Sequence, residues 1–452
     1  MASDWLDVQL QDVVSKLGDG LHGTPKYSED GEYYFINGNN LENGKIVFKD
    51  TTKRVNKEQY LKYKKTLNDR TLLVSINGTI GNIAYYNSEK VVLGKSACYF
   101  NLKDDIDKSY VRYVLSGHYF QSYINTFATG TTIKNISLKT MREFSFKLPY
   151  LPEQKAIAHF LGTLDNKIEL NRQMNQTLES MAQALFKSWF VDFDPVIDNA
   201  LAAGNPIPDA LKAKAEQRAE QLKAAAQRGE APSAHRELFP AEFTYTEELG
   251  WIPKGWIAQP LDSVADYLNG LALQKFRPEN SEDGFLPVVK IAQLKSGISN
   301  SEEKASKKIN PEYIIDDGDV LFSWSGSLVV DIWCGGKAAL NQHLFKVTSK
   351  KYPKWFYLYY TKHHLVEFQR IASDKAVTMG HIKREHLKQA LCAVPVRVLK
   401  IKELLLFDDL LDSQIKNRVE NQTLAKLRDI LLPKLLSGEL RVSEAAARVE
   451  GV

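Results

Sequence analysis

Between residues 157 and 189 the chain places apolar or neutral side chains at Ile157, Leu161, Leu164, Ile168, Asn171, Asn175, Leu178, Ala182, Leu185 and Trp189. The steps alternate 4-3-4-3 without a break, which is the seam of a helix packed along a second helix. Pro152 suits the first helical turn and Glu153 the positive end of the helix dipole. Asp194-Pro195 predicts the stop. A helix from Pro152 to Phe190 spans roughly 58 Å at 1.5 Å per residue. Two seam positions, Asn171 and Asn175, are amides. Buried seam amides fix register and partner orientation at a cost in stability; a surface asparagine near a helix crossing is the plainer alternative. A second run begins at Leu404, Phe407, Leu411 and Ile415 and resumes at Leu424, Leu427, Leu431 and Leu435. The one-residue slip before Leu424 is what a local stutter produces. Pro433 predicts a bend in the last turns and Ser437-Gly438 their end.

The stretch before each run has a different pattern. Short β-rich segments, RTLLVSI, NIAYY, SACYFNL and FSFKLP, alternate with NG, GN and NSE turn signals. Ser109–Asn125 has apolar residues at Val111, Val114, Leu115 and Tyr119, near helical spacing, and PKWFYLYYTKHHLVEFQRI is its counterpart. Each stretch therefore predicts a compact sheet-plus-helix head of about 150 residues. Between the two units, Val196–His235 is rich in Ala, Gln, Lys and Glu. It reads as a spacer, with a polar helix over 208–228.

The two units say nearly the same thing. WLDVQLQDVV (Trp5–Val14) matches WIAQPLDSVA (Trp256–Ala265), and LLVSINGTI (Leu72–Ile80) matches VLFSWSGSL (Val320–Leu328), pairing Ser75 with Ser323 and Gly78 with Gly326. GKSACYFNL (Gly94–Leu102) is set against GKAALNQHLFKV (Gly336–Val347), and Thr131–Met141 against Val377–Leu387. Pro149 and Pro395 close these segments, Leu164-Asp165 and Leu411-Asp412 follow, and NQTL ends both. The pieces keep one order, so the chain holds two copies of a whole unit, a head followed by a helix. The boundaries read 1–151 for the first head, 152–195 for its helix, 196–244 for the spacer, 245–396 for the second head, 397–440 for its helix and 441–452 for a tail.

The stretch LPEQKAIAHFLGTLDNKIELNRQMNQTLESMAQALFKSWFVDFDPV resembles the first conserved region of type I restriction–modification specificity (S) subunits, and Leu411–Leu440 resembles the second. GWIPKGW and LNGLALQ resemble the opening of a target-recognition domain. The resemblance covers almost the whole chain. It implies an α/β (α+β) fold: two globular target-recognition domains separated by a long antiparallel two-helix coiled coil, related by an internal pseudo-two-fold repeat. It implies that each head binds one half of an asymmetric, bipartite double-stranded DNA target while the helix pair sets the gap. It also implies two methyltransferase (M) subunits and two restriction/motor (R) subunits as partners. S-adenosylmethionine, ATP and Mg²⁺ are then expected on those partners, with no cofactor in this chain.

Composition agrees with this reading. Of 452 residues, 59 are basic and 55 acidic, a net charge of +4. So small an excess means that any DNA-binding surface comes from the placement of charges. The three cysteines, Cys98, Cys334 and Cys392, are far apart and form no metal-knuckle or disulfide pattern, as expected of a cytoplasmic protein. The N-terminal residues lack a signal-peptide pattern and no apolar run is long enough for a membrane span. Catalytic motifs are also missing. Asp194-Pro195-Val196 lacks the second proline and the aromatic of an adenine methyltransferase motif. Gly94-Lys95-Ser96 ends like a P-loop, but Glu89 stands where the upstream glycine belongs. Glu153-Gln154-Lys155 imitates half a nuclease site without its partner Asp, and His363-His364, His381 and His386 have no metal-ligand company. The expectation is a non-catalytic subunit. The rivals are a coiled-coil spacer that joins proteins and a self-contained restriction–methylation enzyme, the latter disfavoured by the missing motifs.

Loops on a rigid scaffold are where bases are read, by Arg, Lys, Asn, Gln, Ser and Thr. In the first head the candidates are His22, Thr24, Lys26, Asn77, Thr79, Lys95, Thr131, Thr132, Lys134 and Asn135. In the second they are Lys275, Arg277, Lys290, Ser323, Ser325, Lys337, Gln342, His343, His381 and Lys383. NGT can equally be a plain hairpin turn and TTIKN a helix cap. For helix pairing and partner binding the candidates are Ile157, Leu161, Leu164, Ile168, Asn171, Asn175, Leu178, Leu185, Leu411, Ile415, Leu424 and Leu431. Phe186, Trp189 and Phe190 suit partner anchors or packing beneath the adjacent head.

Overall fold

The computed structural model describes residues 5–230, 234–278, 284–299, 302–374, 380–396 and 404–450. The chain divides into two compact units, one of residues 1–167 with 424–452 and one of residues 168–423. Two long helices, Leu151–Phe186 and Leu405–Ser437, each contribute a segment to both units.

In the first unit, β1 (Leu6–Gln9) pairs antiparallel with β9 (Ser145–Leu148), Leu6 opposite Leu148. Within this ribbon lies an antiparallel sheet of β2 (Val14–Asp19), β8 (Ala97–Leu102), β5 (Thr71–Ser75) and β6 (Ile83–Tyr85), in that order. A second sheet orders β4 (Arg54–Val55), β3 (Tyr33–Ile36) and β7 (Val91–Leu93), with β3 parallel to β7. All residues of β5 and β8 are buried, so these central strands carry continuous apolar runs where an edge strand would alternate. Phe100, Tyr110 and Phe144 share one core with Ile157 and Leu161 of the first long helix and Leu431 and Leu435 of the second.

The second unit repeats this plan. β10 (Trp256–Pro260) pairs with β19 (Leu391–Pro395). One antiparallel sheet orders β11 (Asp266–Asn269), β18 (Leu344–Thr348), β15 (Val320–Ser323) and β16 (Val330–Ile332). The other orders β13 (Lys304–Ser306), β12 (Phe285–Val289), β17 (Ala338–Leu340) and β14 (Ile314–Ile315), with β12 parallel to β17. The internal repeat is therefore a repeat of topology, with one strand, β14, added to the smaller sheet of the second unit.

Several sequence readings take a different form. The first long helix widens into a π-helical turn at Lys187–Val191, and Phe193 is left-handed at φ 58°. Asp194-Pro195 then opens a new helix, Asp194–Ala203, because proline fits a first turn as well as it ends a helix. Ser109–Asn125 breaks at Gly117, whose extended backbone (ψ 153°) separates Lys108–Ser116 from His118–Phe127; glycine has a low helix propensity. Its counterpart, Lys354–Asp374, is unbroken. In the 196–244 segment, Asp194–Ala203 packs on Lys212–Gln227, buries Val196, Ile197 and Ala200, and holds Arg218 on Asp198 at 2.5 and 2.9 Å.

Phe186, Trp189 and Phe190 are core residues, not exposed anchors. They pack among Trp256, Trp355, Phe356, Tyr360 and Phe407 with ring centroids 4.9–6.4 Å apart. The seam residues Leu164, Ile168, Leu411 and Leu431 are buried, while Leu178, Leu185, Ile415 and Leu424 are half-buried. Asn171 and Asn175 pair across the helices. Asn171 Nδ2 donates to Asn421 Oδ1 (3.0 Å) and Glu420 Oε2 (2.7 Å), and Asn417 Nδ2 donates to Asn175 Oδ1 (2.9 Å). Partners that fall in number as 171 and 175 rise mark an antiparallel pair. Its register rests on these amides.

Candidate nucleic-acid interface

In the first unit's antiparallel sheet four strand ends fall together. β2 ends at Asp19 opposite Cys98, β8 begins at Ala97 opposite Ser75, and β6 begins at Ile83 opposite Val74. Three loops therefore leave one end of the sheet: 20–27 after β2, 94–96 before β8, and the 76–82 turn. Leu21 bridges Gly94, which seats the first two together. A Cβ at Gly20 would lie 2.2 Å from the Gly94 carbonyl oxygen, so only glycine permits this approach.

The 76–82 turn is held from within and from outside. Ser75 Oγ accepts from the Asn82 amide at 2.8 Å, and Gly78 takes φ 77°. Gly78 N donates to Lys134 O, Ile136 N donates to Ile76 O, and Asn77 Nδ2 donates to Asn135 Oδ1, at 2.8–3.1 Å. The 129–135 loop is thus fixed beside the turn. His22, Thr24, Lys26, Thr79, Lys95, Thr131, Thr132, Lys134 and Asn135 are exposed and Asn77 is half-buried. All ten candidates of the first head sit at this one sheet end.

The second head builds the same frame from other side chains. Leu271 bridges Asn341, and a Cβ on Gly270 would meet the Asn341 carbonyl oxygen at 2.3 Å. Gly326 N donates to Gly380 O and Ile382 N to Trp324 O, the counterparts of the Gly78 and Ile136 bonds. Ser325 faces His381 where Asn77 faces Asn135. Lys275, Arg277 and Lys383 are exposed, and Gln342, His343 and His381 half-exposed. Lys290 follows β12 beside Asn341, whose amide donates to Val289 O, and its ammonium pairs with Glu303.

Three candidates of the second head are corrected. Ser323 is 0% exposed; its hydroxyl donates to Ser327 O (2.7 Å) and accepts from the Val329 amide (2.8 Å). It shapes the turn, as Ser75 does, with its hydroxyl closed to solvent. Ser325 is 3% exposed and its hydroxyl lies 2.9 Å from His343 Nδ1, so it orients the histidine. Lys337 precedes β17, at the end of that strand remote from Asn341, and stands apart from the cluster. The structural counterpart of Gly94-Lys95 is Asn341-Gln342, not Gly336-Lys337. Of the Val377–Leu387 match, 377–379 lie outside the described residues. Trp324 was missed: its indole Nε1 donates to Asn269 Oδ1 (2.9 Å) and its ring lies 5.9 Å from that of His343.

Among the described residues there is no cluster of His, Cys, Asp and Glu suited to a metal ion. His364 lies on Lys354–Asp374, and burial lowers its pKa to about 4. Burial pushes the Cys334 thiol up to about 11 and the Cys98 and Cys392 thiols well above their ordinary value. No helix among the described residues is long and apolar enough to cross a membrane.

Residues 2–180 and 253–396 match the type I restriction modification DNA specificity domain. The chain belongs to that family. Both matched spans open at a head and take in its sheets, so the family profile falls on each repeat in turn. The chain is 24% identical to the MjaIX type I restriction enzyme specificity subunit of Methanocaldococcus jannaschii, over 98% of this chain and 94% of the relative. It is 25% identical to the HindI specificity subunit of Haemophilus influenzae, over 68% and 72%. The crystal structure of a type I restriction-modification S subunit from M. genitalium has a similar fold, with a TM-score of 0.51 at 15% identity over 96% of both chains.

Proposed function

We propose that this specificity-family chain is the DNA-reading subunit of a type I restriction–modification complex and carries no chemistry itself. The observation that carries the reading is one backbone frame built twice with different side chains at its tip. Asn77 and Asn135 occupy in the first head the places of Ser325 and His381 in the second. Two frames of one design with unlike tips suit a target of two unlike halves, because the frame fixes geometry and the side chains choose bases. His22, Thr24, Lys26, Asn77, Thr79, Lys95, Thr131, Thr132, Lys134 and Asn135 are proposed for one half. Lys275, Arg277, Lys290, Gln342, His343, His381 and Lys383, with His343 oriented by Ser325, are proposed for the other. The antiparallel helix pair sets the gap between halves.

Methyltransferase subunits, and through them motor-nuclease subunits, dock on the helices. An exposed apolar stripe on the first long helix supports this role. Leu170, Met174 and Met181 are 54%, 44% and 49% exposed at helical spacing, outside the seam. Methionine adapts to a partner surface better than a branched side chain does. S-adenosylmethionine, ATP and Mg²⁺ belong to those partners.

The test is a methylome. The chain is co-expressed with its methyltransferase partner in a methylation-free host and modified adenines are mapped by long-read sequencing. Two different half-sites around a fixed unspecified gap are expected. Methylation at one short continuous site refutes the gap-setting helices. No methylation from an assembled complex refutes the DNA-reading role and leaves the protein-joining spacer.

A further inference from the structure

We infer that Ile133 reads a thymine methyl group in the half-site bound by the first head; the inference rests on the DNA-reading function proposed above. Ile133 is 61% exposed. A single exposed isoleucine is ordinary on a protein surface, so its setting has to carry the argument. It sits in the 129–135 loop, which is closed by two backbone hydrogen bonds between Thr129 and Asn135, at 2.8 and 2.9 Å. Gly130, at φ 89°, lets the loop fold so tightly that a Cβ there would lie 2.3 Å from Ile133 O. Directly after Ile133 the loop is tied down twice at Lys134, by Gly78 N to Lys134 O at 2.9 Å and by Lys134 Nζ to Asn125 Oδ1 at 2.8 Å.

The isoleucine is thus a stiff, β-branched group held on a fixed loop, and little side-chain freedom is lost when it is covered. Its neighbours Thr131, Thr132, Lys134 and Asn135 are residue types that bond to base edges and phosphates. Among such readers an alkyl group has one complement in the major groove, the C5 methyl of thymine, which presents no donor or acceptor. Ile133 is the apolar member of this otherwise polar loop tip.

The experiment uses the complex of this chain with its methyltransferase partner and duplexes carrying the motif found by the methylome. Each thymine of both half-sites is replaced in turn by deoxyuridine, which removes only the methyl group, and methyl transfer is measured at limiting enzyme. Wild type is expected to lose about fourfold at one thymine of one half-site, the equivalent of one buried methyl at about 0.8 kcal/mol. Ile133→Ala is expected to lose as much on the thymine duplex and nothing further on the deoxyuridine duplex at that position. Ile133→Val, which keeps the branched alkyl group, should fall between them and guards against a folding defect in the alanine variant. Equal losses for Ile133→Ala on every duplex, no loss on any, or no sensitive thymine overturn the inference while a two-part motif still stands. A wild-type complex that marks no two-part motif overturns the DNA-reading function itself.

Discussion

Asp165 is the most heavily used carboxylate of the first unit. It accepts from Arg112 Nη1 (2.8 Å), Arg428 Nη1 (2.9 Å) and the Tyr113 hydroxyl (2.8 Å). Two partners come from the head's Lys108–Ser116 helix and the third from the second long helix, so a single group ties both to the first long helix. The Asp165→Asn change keeps the shape and removes the charge. It leaves two guanidinium groups facing a neutral amide in a site where the three charged side chains are 19–30% exposed. Breaking a buried pair from one side costs about 3–5 kcal/mol, and partial exposure argues for the low end, about 3 kcal/mol. Hydrogen-exchange mass spectrometry reads this directly. Protection in 108–116 and 424–437 should fall by up to about a hundredfold, at tenfold per 1.4 kcal/mol, while 354–374 stays unchanged. A drop under threefold, or an equal drop in both units, refutes the reasoning. The effect has a pH signature. Burial pushes the Asp165 carboxyl up, but the hydrogen bonds from Arg112 and Arg428 outweigh it and hold the pKa below its ordinary 3.8. A depressed folded pKa contributes stability that is present above the unfolded pKa and is lost as pH falls through the folded one. Wild type should therefore lose protection in these helices below about pH 4, and Asp165→Asn should lack that component.

Asn421→Leu, which strips Asn171 of one acceptor, should destabilise by roughly 2 kcal/mol in urea unfolding, and adding Asn171→Leu should recover part of the loss; a double variant weaker than the single refutes the pairing. Gly20→Ala and Gly270→Ala, each placing a Cβ against a backbone carbonyl, should each destabilise by roughly 1–3 kcal/mol. Each should weaken methylation through its own half-site alone, and loss through both halves argues against independent frames. Lys95→Ala and Lys134→Ala should each lower the slope of log K against log salt by about 1 in DNA titrations of the complex, and an unchanged slope removes that lysine from the phosphate contacts. All three cysteines are buried, so native chain treated with iodoacetamide at about pH 8 should show no adduct in the intact mass.

What was legible in the sequence was what repeats or has a period. The 4-3 spacing marked the long helices and the matched pieces marked the doubled unit, because both are local statements about faces and order. The clamps were not legible: Asp165 meets Arg112 and Arg428 across 53 and 263 residues, and nothing near any of them in sequence marks the pairing. Residue type alone misled at Ser323 and Ser325, where a polar side chain in a turn serves the turn before it serves a ligand. The Gly-Lys at 336–337 misled for another reason. It copies the letters of Gly94-Lys95, but hydrogen-bond register assigns that place to Asn341-Gln342, and register is decided by strand pairing. Aromatic density at 186–190 left partner anchors and packing beneath the adjacent head equally open, because the strands and helices that cover it lie up to about 220 residues away in the chain.

The duplicated NQTL phrase is explained by what each copy does to the other. Asn171 and Asn417 stand 246 residues apart, as do Asn175 and Asn421. The bond from Asn171 Nδ2 to Asn421 Oδ1 has its two-fold mate in the bond from Asn417 Nδ2 to Asn175 Oδ1. The bond from Asn175 Nδ2 to Gln414 O (3.1 Å) has its mate in that from Asn421 Nδ2 to Ile168 O (3.2 Å). In a two-fold contact a residue that faces a partner in one copy is itself faced by the equivalent partner. A change in one phrase therefore strands a buried amide in the other, at about 1–3 kcal/mol for each unmet group. The tips of the two heads carry no such mutual debt: Asn77 with Asn135 and Ser325 with His381 close the same bridge from unlike residues. A duplicated unit is thus held alike where its copies touch each other and left to diverge where each meets something else, which is the division of labour a two-part target requires.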